Sequence, residues 1–153
     1  MKDSAAGGCL PELILLNRQR RVAVAVAALR RFALRALSLC VRESGDGLFA
    51  LCGLEEVVVT LVSDRRIDRI HRQFMDIPGA TDVITFEHGE IIVSVDTAER
   101  CGAEFGHGTG AEAALYIVHG LLHLNGFVDD REEARAVMHA VQDRIWSACL
   151  PVS

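Results

Sequence analysis

The chain has 153 residues, half of them hydrophobic, with 5% aromatics and a net charge of −5. Such a length and apolar content predict one domain with a sizeable core and exclude a disordered chain, and the scarcity of rings argues against a broad stacking platform for single-stranded nucleic acid. The charge is uneven: residues 1–42 hold eight of the 16 Lys and Arg but only Asp3 and Glu12 as acids, a pattern that marks either a surface for a polyanion or a solvated helix face.

Residues 1–11, small and polar with Gly7-Gly8 and Pro11, are predicted to be a loose tail. They lack a continuous apolar stretch followed by a cleavage site, so no signal peptide is read there. Leu13–Leu16 predicts a first strand, and residues 20–41 a long helix. Arg30, Arg31 and Arg35 interrupt that helix, which excludes a membrane span. Ser44-Gly45-Asp46-Gly47 reads as a loop. Val57–Val62 is continuously apolar and β-branched, so it predicts a strand buried on both faces. Ser63 or Asp64 caps a helix running to about Phe74, with Arg65, Arg69 and Arg72 on one face.

Residues 77–80 predict a turn. Asp82–Phe86 and Ile91–Val95 predict two strands joined at His88-Gly89, and Asp96 or Thr97 begins a short helix ending near Gly102. Thr109-Gly-Ala-Glu112 has the form of a capping box and places the next helix at about 110–125. Its apolar residues almost encircle it, so it should be buried. Residues 130–148 predict a last helix with Asp130, Glu132 and Glu133 at its positive end. The result is an α+β fold: one domain over 12–149, a mostly four-stranded mixed sheet covered by helices, and a short tail at 150–153. The five cysteines form no Cys-x-x-Cys pair and most of them read as small core residues, which fits a reducing cytoplasm.

The chemistry lies in His119-Gly-Leu-Leu-His123-Leu-Asn-Gly126-Phe-Val-Asp129. Positions i and i+4 share a helix face, so both imidazoles can meet one metal ion. Asn125-Gly126 stops the helix, and the returning chain offers Asp129 as a third ligand. Two nitrogens and a carboxylate suit zinc with a position left open. A lone buried histidine is usually a satisfied core residue, but two on one apolar helix each need a polar partner. The Glu that zinc proteases carry after the first histidine is replaced by Gly120, which weakens a peptidase reading. His71, His88, His107 and His139 lack ligand spacing; of these, His107 sits on the glycine-rich approach to the helix. Asp82 reads as structural and Trp146 as a packing anchor.

The segment 119–127 resembles the signature His-Gly-x-x-His-x-x-Gly-Tyr-Asp-His of the YbeY family, metal-dependent endoribonucleases of ribosomal RNA maturation. Thr81-Asp-Val-Ile-Thr-Phe86, followed by Gly89-Glu-Ile91, is similar to that family's Thr-Asp-Val-Leu-Ser-Phe and Gly-Asp-Ile segments, and the order of elements fits over about 12–149. The resemblance implies a zinc-dependent single-strand endoribonuclease acting at the 16S rRNA 3′ end and in ribosome quality control. It implies one Zn2+ per chain, held by His119, His123 and Asp129, with His119 and His123 catalytic. Val83–Phe86 would form a wall of the cleft, and Arg65, Arg69 and Arg72, with the arginines of 18–35, would hold the phosphates. The implied partners are ribosomal RNA and the small ribosomal subunit, in the cytoplasm and without a membrane. Two positions depart from the family. Its third histidine falls on Asp129, with Asp130 one residue out of register as a competing ligand, and Met75 stands where an arginine is usual. A ribosome-binding relative that keeps zinc for structure, or a metal-dependent hydrolase of another substrate, are the alternatives.

Overall fold

β-Branched and aliphatic runs make the strands: β1 (Glu12–Asn17), β2 (Glu56–Val62), β3 (Val83–Phe86) and β4 (Glu90–Ser94). They form one sheet in the order β1-β2-β4-β3. β1, β2 and β4 run parallel, and β3 pairs antiparallel with β4. The structure is a computed structural model that describes residues 10–45, 47, 49–77, 79 and 81–153. Most of the expected N-terminal tail, with Cys9, lies outside the described residues, as do Asp46 of the 44–47 loop and Pro78 and Ala80 of the 77–80 turn. The helices are α1 (Val26–Cys40), α2 (Asp64–Met75), α3 (Val95–Phe105), α4 (Gly108–Leu124) and α5 (Glu132–Cys149).

Alternation along the strands divides the sheet into two unequal faces. Val57, Val59, Leu61, Ile91 and Val93 are buried on the face that carries α1 and α4. There α4 is the central helix, with Ala113, Ala114, Ile117, Val118, Leu121 and Leu122 all buried. Gly120 lets it approach β4, because a Cβ at that position would lie 2.8 Å from the Ile91 side chain. A glutamate there would point into the sheet, which gives a steric reason for the absence of the protease pattern. Met138, Ile145 and Cys149 of α5 complete this core.

Among the described residues, the opposite face is covered by α2 alone. Ile67 packs there with Val62, Ile84 and Ile92, and Ile70 and Phe86 flank them. β2 is therefore not buried on both faces as its composition suggests, since Val58 and Thr60 remain half-buried. Composition shows that a strand tolerates burial, but coverage is decided by the length and placement of a distant helix.

Three helix starts differ from expectation. α1 begins at Val26 and not near residue 20, because Gln19 closes the preceding turn by accepting from the Val22 N–H and donating to the Val22 carbonyl, each at 2.9 Å. Arg21 is drawn off to Asp96 and Glu99. α3 is capped by Ser94, whose Oγ accepts from Thr97 N and donates to Asp64 Oδ1 at 2.5 Å. The Asp96 carboxylate in turn accepts from the Asp64 N–H, so the starts of α2 and α3 are joined. Burial would raise the Asp64 pKa, but hydrogen bonds from Ser94, Arg100 and Thr97 outweigh it and hold the carboxyl below its ordinary value. α4 starts at Gly108 after His107 and has no side-chain cap. Glu112 is turned inward to His107 Nε2, which removes it from the expected capping box.

The arginines of the N-terminal section are partly absorbed by packing. Arg35 donates to the carbonyls of Cys149 and Pro151, and Arg31 to that of Ser153, tying α1 to the end of α5. No helix among the described residues is long and apolar enough to cross a membrane.

Candidate metal centre

Gly126 ends α4 and turns the chain back. Its φ of +92° is the left-handed conformation that favours glycine, and a Cβ there would sit 2.8 Å from the Phe49 carbonyl oxygen. Asn125, 8% exposed, fixes the turn from inside the protein. Its Oδ1 accepts from Leu51 N at 3.0 Å, and its Nδ2 donates to the carbonyls of Cys40 at 2.8 Å and Glu43 at 2.7 Å. Gly47 N donates to the Gly126 carbonyl at 2.7 Å. This clamp aims residues 127–129 back along α4.

Asp129 thereby reaches the two histidines. His119 Nε2 and His123 Nε2 are 3.0 Å apart, and Asp129 Oδ2 lies 3.5 Å from the first and 3.4 Å from the second. Ligand atoms about 2.0–2.1 Å from a tetrahedral zinc are separated from one another by about 3.3 Å, so this triangle fits three corners of such a site. Among the described residues, these three form the one cluster with metal-ligand geometry. Asp130 points elsewhere, with its side chain 76% exposed beside Arg131.

The outer nitrogens set the tautomers. His119 Nδ1 donates to Gln142 Oε1 at 2.7 Å, and His123 Nδ1 donates to the Phe127 carbonyl at 3.0 Å. With both Nδ1 atoms protonated, neutral rings face each other through two Nε2 lone pairs. That repulsion is relieved by a cation or by an added proton. Burial, then the neighbouring His123, pushes the His119 pKa below its ordinary value, so the proton is disfavoured and the cation favoured.

This shift fixes the sign of the pH response. With a folded-state pKa below the unfolded value of 6.5, His119 binds fewer protons folded than unfolded across that interval. Metal-free protein should therefore lose stability as pH falls through 6.5 toward the lower folded value, and His119→Gln should flatten that part of the profile. Urea titrations between about pH 7.5 and 5 measure it; an equal slope in parent and variant would contradict the assignment.

The three donors open on a cavity of about 480 Å³. Met75 and His71 from α2, Thr81, Asp82, Val83, Ile84 and Thr85 on the approach to and along β3, and Phe127 and Val128 from the return turn line it. Phe86 belongs to the opposite face, so the expected wall is formed by Val83–Thr85. Asp82 caps the start of β3, accepting from Val83 N at 2.8 Å. Of the arginines singled out from sequence, none lines this cavity. Arg72 is held by both carboxylate oxygens of Asp68, Arg69 faces a separate trough behind β3, and Arg65 is exposed along α2. His107 lies at the far end of α4, against Glu112 and edge-to-face with Trp146 at 5.1 Å, away from the donors. Trp146 packs there and donates to the Ala111 carbonyl at 2.8 Å.

The sequence pointed to no role for Gln142, and His71, set aside there for its lack of ligand spacing, lines the cavity without joining the donor cluster. His71 is the basic side chain of the cavity outside the donor triangle, with Nδ1 3.0 Å from the Gly79 carbonyl. Gln142 is buried on α5, and nothing in its local sequence links it to a histidine 23 residues away.

The profile of a family described as Endoribonuclease YbeY matches residues 15–149. A protein named Endoribonuclease YbeY from Pelotomaculum thermopropionicum is 30% identical over 148 residues, spanning 87% of this chain and 93% of its own. One of the same name from Lacticaseibacillus casei is 34% identical over 125 residues, spanning 66% of this chain and 82% of its own. The solution structure of a Thermotoga maritima protein superposes with a TM-score of 0.58 at 24% identity, covering 89% of this chain and 90% of that one, and so shares the fold. With the profile matched over nearly its whole length, this chain belongs to the YbeY endoribonuclease family.

Proposed function

We propose that the protein is a zinc-dependent single-strand endoribonuclease that matures the 3′ end of 16S rRNA and serves ribosome quality control, in the cytoplasm and in association with the small ribosomal subunit. The observation that supports this best is the donor triangle of His119, His123 and Asp129 at an open cavity, in a chain of an endoribonuclease family. When bound there, zinc supplies Lewis-acid chemistry toward a phosphodiester. The protein's part is positional. Gln142 and the Phe127 carbonyl hold both imidazoles as Nε2 donors, and Asp129 contributes a negative charge that a histidine would not. Met75 and Val83 present apolar surface to one side of the cavity. His71, fixed through Nδ1, joins the carboxylates of Asp82 and Glu87 as a group of the cavity lining that can move a proton to or from the reacting oxygens.

Cleavage of a labelled single-stranded oligoribonucleotide by protein stripped of metal with a chelator and then supplied with zinc tests this reading. Activity should vanish and return, with a His123→Ala preparation excluding contaminating nucleases. The cavity lining contains no Lys or Arg among the described residues, which favours the alternative of a ribosome-binding relative with a structural zinc. Zinc-loaded protein that leaves RNA uncut would decide for that alternative.

A further inference from the structure

The sheet face that, among the described residues, α2 alone covers leaves a trough of about 760 Å³ between that helix and strands β1 and β2. Leu16, Val58 and Thr60 form its floor, and Arg18, Arg66 and Arg69 stand around it. These arginines are exposed and take part in none of the ion pairs among the described residues. Among the described residues the trough's one lining carboxylate is Glu90, which lies 3.3 Å from His88 Nε2. A chain with a net charge of −5 thus keeps unpaired positive charge at this hollow.

One end of the trough is aromatic. Phe74 is 62% exposed and edge-to-face with Phe86 at 5.5 Å, and Phe86 is stacked with His88 at 5.6 Å. The metal cavity begins on the other side of the same rim. Met75, Thr85 and Glu87 line that cavity, while their neighbours Phe74, Phe86 and His88 line the trough. A strand leaving the donor triangle over the end of α2 and the β3–β4 hairpin therefore meets rings first and arginines next.

Rings followed by cations along a groove match a single-stranded polynucleotide, whose unstacked bases need flat partners and whose phosphates need positive charge. A duplex has no free base faces for the rings. An acidic peptide would satisfy the arginines but leave the rings bare. We propose that the trough carries the single-stranded RNA that flanks the cleavage point, with bases stacked at Phe74, Phe86 and His88 and phosphates on Arg66, Arg69 and Arg18. The assignment rests on the endoribonuclease reading and adds to it a requirement for several nucleotides on one side of the scissile bond. The low aromatic content of the whole chain does not oppose it, because two of the six phenylalanines gather at this rim.

Fluorescence anisotropy with labelled RNA tests it, in a His119→Ala background that silences cleavage. The probes are single strands of roughly four and roughly twelve nucleotides and a duplex of the longer length. Arg66→Glu/Arg69→Glu should weaken the longer single strand at least about tenfold, leave the shorter within about twofold, and lower the salt slope by about 0.7 for each phosphate that is no longer neutralised. Phe74→Ala should weaken the longer strand by about fivefold or more. Arg30→Glu/Arg42→Glu, which makes the same change in charge away from both hollows, should have little effect. Equal losses in that control pair, an unchanged affinity in the trough variants, or a duplex bound as tightly as the single strand would each overturn the proposal. Cleavage by the parent chain is read separately. A parent that cuts RNA while the trough variants bind normally refutes the trough alone. A parent that cuts nothing while those variants lose the longer strand refutes the nuclease reading and leaves the trough standing.

Discussion

His119→Ala should reduce RNA cleavage by about a thousandfold or more while leaving the protein folded. The imidazole contributes one of three donor atoms, and its loss leaves His123 and Asp129, 3.4 Å apart, as a two-point site. Metal affinity should fall with activity, because two ligands hold zinc far less well than three. The folding cost is smaller. Gln142 Oε1 loses its partner in a nearly buried position, which costs about 1–3 kcal/mol. The facing Nε2 lone pairs are also relieved, which partly offsets that cost. Circular dichroism and single-turnover cleavage separate the two effects. Cleavage at the parent rate by a folded His119→Ala protein would remove the donor triangle from the mechanism.

The second large effect falls on a residue that touches no substrate. Asn125→Ala should destabilise the fold by about 3–5 kcal/mol, since it removes hydrogen bonds to Leu51 N and to the carbonyls of Cys40 and Glu43 and strands those groups inside the protein. Asn125→Asp should be at least as damaging. A carboxylate can accept from Leu51 N but cannot donate to either carbonyl, and it brings a charge into a buried site. Both variants should also weaken metal binding, because the clamp sets the turn that returns Asp129 to α4. Urea unfolding gives the stability term. A loss below about 1 kcal/mol would show that the 40–51 segment does not depend on this side chain.

The fold was legible where one strong local pattern controlled the outcome. The aliphatic runs at 13–16, 57–62 and 91–93 became strands, and the encircled apolar helix became the centre of the core. Helix starts were less legible because partners distant in sequence decide them. Arg21 is held by Asp96 and Glu99, and Glu112 is spent on His107 in place of the backbone. The clustering of His119, His123 and Asp129 was readable because the two histidines share a helix face and the aspartate follows a glycine stop. Gln142 and His71 were not, since each reaches the site from an element whose packing on α4 or β3 has no local signature. The arginines show the same limit. Helical spacing put Arg65, Arg69 and Arg72 on one face, but the structure pairs Arg72 with Asp68, faces Arg69 to the trough and leaves Arg65 at neither hollow.

Metal content per chain, determined by elemental analysis of the purified protein beside its Asp129→Ala variant, decides whether the three donors hold a metal ion. A His-His-Asp centre predicts about one zinc per parent chain and a clear loss in the variant. A parent that stays free of metal after zinc is offered, or a variant that binds as much as the parent, would contradict it.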